Sequence, residues 1–194
     1  MLKRFDHDLR LHADPSRVVV RPFHLAWQAS GINKSRSERL VAEVLEMEDR
    51  EAAKQLEAVL RDFEPRHWQT RRVFMTRFEE IDAQMEEPMG DIGDTKRQLI
   101  GAYFCHEYSY AAAAIMNPSV VPHWDQSGMP EGSCRFIMSL RTVGEGHISS
   151  VAFREGIATE DGELRLAPEP PFATATDTAQ GEEEVPEGPV TVIR

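Results

Sequence analysis

The chain has 194 residues, of which 41% are hydrophobic, so it is long enough for one large or two small domains with a hydrophobic core. Its formal net charge of -11 argues against broad nucleic-acid binding, which needs a basic surface, and against docking on an anionic membrane. No apolar run approaches the length of a membrane helix and the charged N-terminus lacks the apolar centre of a secretion signal, so we expect a cytoplasmic protein.

Residues 1–116 are predicted to form a helical region of about three helices. Ahead of the helices, the valines at 18–20 and Pro22 indicate a short edge strand, because proline within a sheet favours an edge position. Apolar residues at helical spacing then predict a first helix over 35–63 and a second that begins after Pro65.

A third helix is predicted from about Thr95 to Met116, where Pro118 stops it because the residue before a proline is disfavoured in the helical conformation. This helix includes the alanines at 111–114, which are interpreted as a close helix-packing face.

Residues 117–166 are predicted to form a small antiparallel sheet, because the apolar period changes from 3.6 to 2. Alternating runs over 135–141 and 147–154 are joined by a Gly-rich turn, which predicts a β-hairpin, and 163–166 predict a third strand. Residues 167–194 are predicted to be an acidic, Pro-rich linker or tail whose last residues, 190–193, could add a strand to a sheet edge. The predicted fold class is therefore α+β.

The hairpin turn is the strongest candidate site. Arg141, Glu145, His147 and Ser149 place a cation, a carboxylate, an imidazole and a hydroxyl within a few residues, and the glycines at 144 and 146 let a ligand approach the backbone. Such a group suits sugar hydroxyls or a phosphate. The alternative interpretation is an ordinary hairpin with a solvated polar turn.

The strings NPSVVPH and RFIMSLRTVGEGHISSVAFREG resemble the opening of the catalytic domain in glycoside hydrolase family 130. That family comprises β-mannoside phosphorylases and related β-mannosidases, which fold as five-bladed β-propellers. The resemblance is densest over 117–156 and extends more weakly over 14–172, where the helices resemble the N-terminal segment of a longer branch. It implies that the small sheet is the first propeller blade.

The resemblance also implies roles for particular residues. Asn117 matches the asparagine of the family's early Asn-Pro motif and Arg141 the arginine that ends its first long strand, and both would line the mannose pocket. Glu145, His147 and Ser149 match the following turn and strand, near the same pocket. A β-mannoside or related oligosaccharide, with inorganic phosphate in the phosphorylases, would be the ligand. No metal and no organic cofactor is implied.

The family's catalytic acid lies in a segment resembling Glu-Asp-x-Arg on a later strand, and this sequence has no match to it. Glu48-Asp49-Arg50 has similar letters but lies in the first predicted helix. We therefore assign no catalytic residue and expect the N-terminal part of such an enzyme, with a truncated gene product or one chain of a two-chain enzyme as possible origins.

Two other readings stay open. The chain would be a non-enzymatic module that pairs with a partner chain, or with a second copy of itself, through an exposed sheet edge. Alternatively, it would be a standalone sugar-binding domain that uses Trp124, Arg141 and His147. His123 and Asp125 beside Trp124 suit a pyranose ring, and the alternative interpretation is a Pro/Gly-rich surface loop with one anchoring aromatic.

Cys105, His106 and Glu107 suggest a metal site, but the i, i+4 spacing of helical zinc ligands is absent, so we interpret them as part of an ordinary amphipathic helix. The two cysteines, Cys105 and Cys134, are expected to be free thiols.

Overall fold

The structure, a computed structural model, describes residues 4–23, 36–173 and 191–193 and has an α+β fold. The chain divides into two compact units, which we call the helical unit (20–108) and the sheet unit (1–19 with 109–194). In chain order the elements are β1 (Val18–Pro22), α1 (Arg36–Glu46), α2 (Asp49–Phe63), α3 (Thr70–Asp82), α4 (Gly93–Tyr103), β2 (Cys105–Ser109), β3 (Ala114–Pro122), β4 (Ser133–Val143), β5 (Ser149–Thr159), β6 (Leu164–Leu166) and β7 (Thr191–Ile193).

The helical unit has one hydrophobic core to which all four helices contribute. The helices α1, α2 and α3 each pack against α4, because each presents apolar residues at helical spacing. The fully buried side chains include two phenylalanines, and the core comprises Val41, Val44, Ala52, Leu56, Leu60, Phe74, Phe78, Ile81, Leu99, Ile100 and Phe104.

The first predicted helix, over 35–63, is in fact two helices. Residue 35 lies outside the described residues, α1 ends at Glu46, and α2 begins at Asp49. Between them Glu48 adopts an extended conformation with φ -61° and ψ 141°, which interrupts the helical hydrogen-bond ladder. Apolar spacing did not reveal the break because both helices bury their apolar faces in the same core.

The third predicted helix ends much earlier than expected, at Tyr103 instead of Met116. The carbonyl of Phe104 accepts hydrogen bonds from the backbone N–H of Phe23 and from Nε of Arg77, so tertiary partners replace the next helical turn. Residues 105–109 form β2, which pairs with β1 in a two-stranded sheet. The predicted strand over 18–22 is thus confirmed, whereas the helix-packing role of the alanines at 111–114 is wrong.

The sheet unit contains an antiparallel meander in the order β3-β4-β5-β6. The pairing of β4 with β5 is continuous from Ser133 opposite Thr159 to Val143 opposite Ser149, which confirms the predicted hairpin. The third predicted strand corresponds to β6, and β7 pairs in parallel with β5, as expected for the end of the chain. Residues 174–190 and 194 of the predicted linker lie outside the described residues.

One face of this sheet is largely buried, and the other, which we call the open face, is partly exposed. Phe136, Met138 and Leu140 alternate along β4 and form a core with partly buried apolar neighbours, which are Leu11, Ile115, Ala158, Leu164 and Leu166. The intervening residues of β4, which include Arg141, lie on the opposite face, as the period of 2 requires.

Candidate functional site

Arg141, near the end of β4, lies beside Ser149, at the start of β5, on the open face of the sheet. Its Nε and Nη2 donate hydrogen bonds to Oγ of Ser149 at 3.2 and 2.9 Å. The serine oxygen thus fixes the direction of an exposed guanidinium, whose Nη1 has no hydrogen-bond partner among the described residues. An arginine fixed in this way can present its remaining N–H groups to a polar ligand.

Asn117 lies one residue beyond Met116, which pairs directly with Arg141. The register of β3 against β4 shifts between Met116 and Ser119, so Asn117 and Pro118 form a bulge. Asn117 has a φ of 53°, a left-handed conformation that asparagine tolerates better than most residues. The bulge places an exposed carboxamide on the strand next to Arg141.

The turn between β4 and β5 is a single 3₁₀ turn over Glu145–His147. The N–H of Gly144 donates to the carbonyl of Ile148 at 3.0 Å, and both Gly146 and His147 have positive φ angles, of 64° and 60°. Glu145 and His147 are exposed. The tight Gly-containing turn predicted from the sequence is therefore present, and it carries both side chains at the surface.

The fold thus places all five candidate residues at one end of the sheet. The bulge of β3, the end of β4, the turn and the start of β5 meet where Ala114 pairs with Val143, and Val143 with Ser149. The five side chains combine an amide, a guanidinium, a carboxylate, an imidazole and a hydroxyl. Such a mixture of donors and acceptors suits a ligand with many hydroxyl groups.

Trp124 forms a separate exposed aromatic surface. Its side chain is 79% exposed and its ring stacks on His123 at a centroid distance of 4.0 Å. The N–H of His123 donates to the carbonyl of Arg135, six residues before Arg141 on β4, a separation of roughly 20 Å along a strand. At this distance Trp124 does not share one monosaccharide site with Arg141 and His147, so a standalone sugar-binding domain that uses all three would need a longer ligand.

Cys105, His106 and Glu107 lie on β2, and the interpretation of these residues as part of an amphipathic helix is wrong. Oε1 of Glu107 is 2.6 Å from Nε2 of His67 and 2.8 Å from Nε of Arg66. Burial favours a higher pKa for Glu107, but hydrogen bonds from Arg66 and His67 outweigh it and lower the pKa below its usual value. The sequence offered no signal for this cluster, because Glu107 lies 40 residues from His67 and 41 from Arg66 along the chain.

Both cysteines are free thiols, as predicted. Burial raises the pKa of Cys105 to about 12, so this thiol stays protonated. Within the ranges 4–23, 36–173 and 191–193, no group of three or more histidine, cysteine or acidic side chains is arranged to hold a metal ion.

Comparisons of the chain with protein-family models, with curated proteins and with solved structures give no match. No helix in the described part of the chain has the length and the apolar character needed to cross a bilayer.

Proposed function

We propose that the sheet unit forms part of the sugar-binding surface of a carbohydrate-active enzyme that resembles β-mannoside phosphorylases and β-mannosidases. The observation that carries the proposal is the double hydrogen bond from Arg141 to Ser149, which orients an exposed guanidinium beside the Asn117 bulge. In this proposal Arg141 donates to ring hydroxyls of a β-mannoside, and Asn117 adds both a donor and an acceptor.

The remaining candidates would complete the polar surface. The carboxylate of Glu145 accepts hydrogen bonds from sugar hydroxyls, and the imidazole of His147 donates or accepts according to its tautomer. The left-handed backbone at His147 is uncommon outside glycine, and such conformations occur often at binding sites. This observation supports a ligand-binding role for the turn without identifying the ligand.

The meander β3-β4-β5-β6 supports the propeller part of the proposal. A propeller blade is a four-stranded antiparallel sheet, and these four strands follow that order along the chain. One blade needs neighbours to pack against, and Met116 and Val121 on β3 are 38% and 55% exposed. In this proposal further blades cover such side chains.

The proposal assigns substrate binding, and not acid catalysis, to this chain. In the family's chemistry phosphate or water attacks the anomeric carbon while a carboxylic acid protonates the leaving sugar. The acid segment has no match in this sequence. The catalytic aspartate and the basic groups that bind phosphate would therefore come from other residues, and we expect no or very weak turnover by this chain alone.

Isothermal titration calorimetry with a β-mannosyl disaccharide, with and without phosphate, tests the proposal. We expect binding to the unmodified chain, loss of binding in Arg141→Ala, and unchanged binding in Arg165→Ala, which removes an exposed arginine from β6. Equal affinity of the unmodified chain and Arg141→Ala would refute the role of Arg141. No heat from any form would remove the case for a sugar pocket on this chain.

A non-enzymatic interaction module is the second candidate, and the exposed valines of β3 favour it, since Val120 is 56% exposed. Among the described strands β3 pairs only with β4, and its other edge is poorly suited to strand addition. The backbone N–H of His123 donates to a carbonyl of β4, and backbone groups in an antiparallel pair point alternately toward and away from the partner strand. The backbone groups of residues 121 and 119 therefore point toward β4, whereas those of Val120 and Pro122 point away from it. Pro122 has no N–H, which leaves few outward donors for a partner strand.

A further inference from the structure

The sheet face opposite Arg141 carries a second group of charged side chains. Arg154 on β5 lies directly across from Met138, and therefore on the buried face, while Arg17 immediately precedes β1. The side chains of Arg17 and Arg154 are only 17% and 16% exposed. Both border a cavity of about 60 Å³ within the sheet unit. Guanidinium groups so far removed from solvent need an anionic partner.

Glu169 supplies this anion from the segment that follows β6. Its Oε1 pairs with Nη1 of Arg154, and its Oε2 lies 3.7 Å from Nε of Arg17. The same two arginines bind the backbone on either side, since Arg154 Nη2 donates to the carbonyl of Ala167 at 3.0 Å and Arg17 Nη1 to that of Pro170 at 3.0 Å. The two arginines therefore fasten the segment 167–170 to the sheet unit.

We propose that Arg17, Arg154 and the hydroxyl of Tyr110 form an oxyanion-binding site in which the carboxylate of Glu169 is a built-in ligand that phosphate can replace. The Tyr110 oxygen accepts a hydrogen bond from Nε of Arg17 at 3.3 Å, and its O–H group can itself donate to an anion. Two guanidinium forks and a hydroxyl are the groups with which proteins bind phosphate.

Charge also favours exchange of Glu169 for a free anion. Asp14 borders the same cavity, but its Oδ1 already accepts two hydrogen bonds from Ser16, one from the backbone N–H at 2.9 Å and one from the Oγ hydroxyl at 2.7 Å. When Glu169 leaves, two arginines therefore face the cavity against one carboxylate that is already hydrogen-bonded. A phosphate would restore the balance of charge that Glu169 provides.

The site has a mechanical consequence. Glu169 and phosphate cannot occupy the same position, so bound phosphate would release the carboxylate anchor of the segment 167–170. This inference does not depend on the proposed sugar site, because Arg154 and Arg141 lie on opposite faces of the sheet. An experiment that refutes one of the two proposals therefore does not refute the other.

Titration with inorganic phosphate, at an ionic strength held constant with sodium chloride, tests the site. The amide chemical shifts of Asp14, Ser16 and Arg17 provide the readout, since Pro15 has no N–H. We expect Glu169→Gln to bind phosphate at least roughly 10-fold more tightly than the unmodified chain, because a like charge no longer occupies the site. The matched control is Glu163→Gln, which removes the same charge from an exposed pair with Arg165 and should behave as the unmodified chain. Adding Arg154→Leu to Glu169→Gln should abolish binding.

Hydrogen exchange in the unmodified chain provides a second test that does not require any variant to fold. The N–H of Ala167 donates to the carbonyl of Glu155 at 2.8 Å, and phosphate should accelerate its exchange by releasing the segment. Unchanged exchange of Ala167 at high phosphate, or equal phosphate affinities for the unmodified chain and a folded Glu169→Gln, would overturn the proposal.

Discussion

Gly101 of α4 lies directly against the backbone of Phe74 in α3: a β-carbon at position 101 would be 1.8 Å from the carbonyl oxygen of Phe74. No side chain other than hydrogen fits at this distance, so the glycine sets how closely the two helices approach. Phe74 is fully buried, and the contact therefore lies in the core of the helical unit. A larger residue would have to separate the helices and disturb the packing on both sides.

We predict that Gly101→Ala destabilises the helical unit by about 3 kcal/mol, because overpacking against backbone outweighs the gain of about 1 kcal/mol that alanine brings to a helix. Urea unfolding followed by circular dichroism measures the change. Gly128→Ala is the control: its surroundings are open but its φ is 71°, so it should cost only about 1 kcal/mol. Equal or greater stability of Gly101→Ala would contradict the close contact.

The contact of Glu107 with His67 and Arg66 predicts a dependence of stability on pH. The pKa of Glu107 is lowered below its ordinary value of 4.5, so folding favours the ionised form. This contribution is fully present above pH 4.5 and is lost as the pH falls through the lower pKa of the folded state. We expect Glu107→Gln to lower the free energy of unfolding by about 1 kcal/mol at pH 7, with a smaller difference in acid.

Denaturant titrations of both proteins between pH 7 and pH 3 measure this effect. Glu64→Gln is the matched control, because Glu64 pairs with Arg71 at the surface, where both side chains are about half exposed. We expect that substitution to change stability by less than about 1 kcal/mol. A difference between Glu107→Gln and the unmodified chain that does not shrink in acid would rule out the proposed linkage.

The oxygen of Ser149 orients Arg141, so its removal should weaken sugar binding without removing the charge. We predict that Ser149→Ala lowers the affinity for a β-mannosyl disaccharide about 5-fold, the equivalent of one hydrogen bond of about 1 kcal/mol. Calorimetric titration provides the measurement. The control is Ser139→Ala, because Ser139 lies on the same face of the sheet as Arg141. If Ser149→Ala binds as well as the control, the orientation of Arg141 by Ser149 has no part in recognition.

The sequence predicts the β4–β5 hairpin well, because a buried face of Phe136, Met138 and Leu140 imposes a clear period of 2. It does not predict β3, whose residues from Met116 to Pro122 are exposed and therefore show no alternation. The strand β2 is also missed: residues 105–109 continue an apolar run from α4, and only the pairing with β1 makes them a strand.

The contacts between side chains also differ in how well the sequence predicts them. Arg141 and Ser149 are close in sequence and on one hairpin, so their proximity follows from the turn between them. The contacts of Glu107 with His67, and of Arg17 with Glu169, join residues far apart in the chain. No local pattern encodes such pairs, because they depend on how the elements pack and not on the conformation of one segment.

The prolines of β3 predict that the edge of this strand left unpaired by the described strands resists pairing with another chain. Pro122→Val adds an outward N–H beside exposed Val120, and we expect it to strengthen self-association about 5-fold, as one added backbone hydrogen bond would. Sedimentation velocity over a range of concentrations measures it. Pro130→Val, in the loop between β3 and β4, is the control. Stable dimers of the unmodified chain that Pro122→Val does not strengthen would place any interface elsewhere.

The two thiols should differ strongly in reactivity. Cys134 is exposed, whereas burial raises the pKa of Cys105 to about 12, and only the ionised thiolate reacts with alkylating reagents. At pH 8 we therefore expect iodoacetamide to modify the exposed Cys134 at least roughly 100-fold faster than Cys105, because burial keeps nearly all of the Cys105 thiol protonated. Mass spectrometry of digested samples at timed intervals resolves the two sites.

In Cys134→Ser, the remaining Cys105 should be labelled only under conditions that open the helical unit. Adding urea below the unfolding transition should raise the rate in proportion to the open population, and Gly101→Ala should raise it further, because both act on the core against which the partly buried Cys105 packs. Rapid labelling of Cys105 in the native Cys134→Ser protein would mean that the thiol is accessible and ionised, and that β2 does not hold it against the core as the structure indicates.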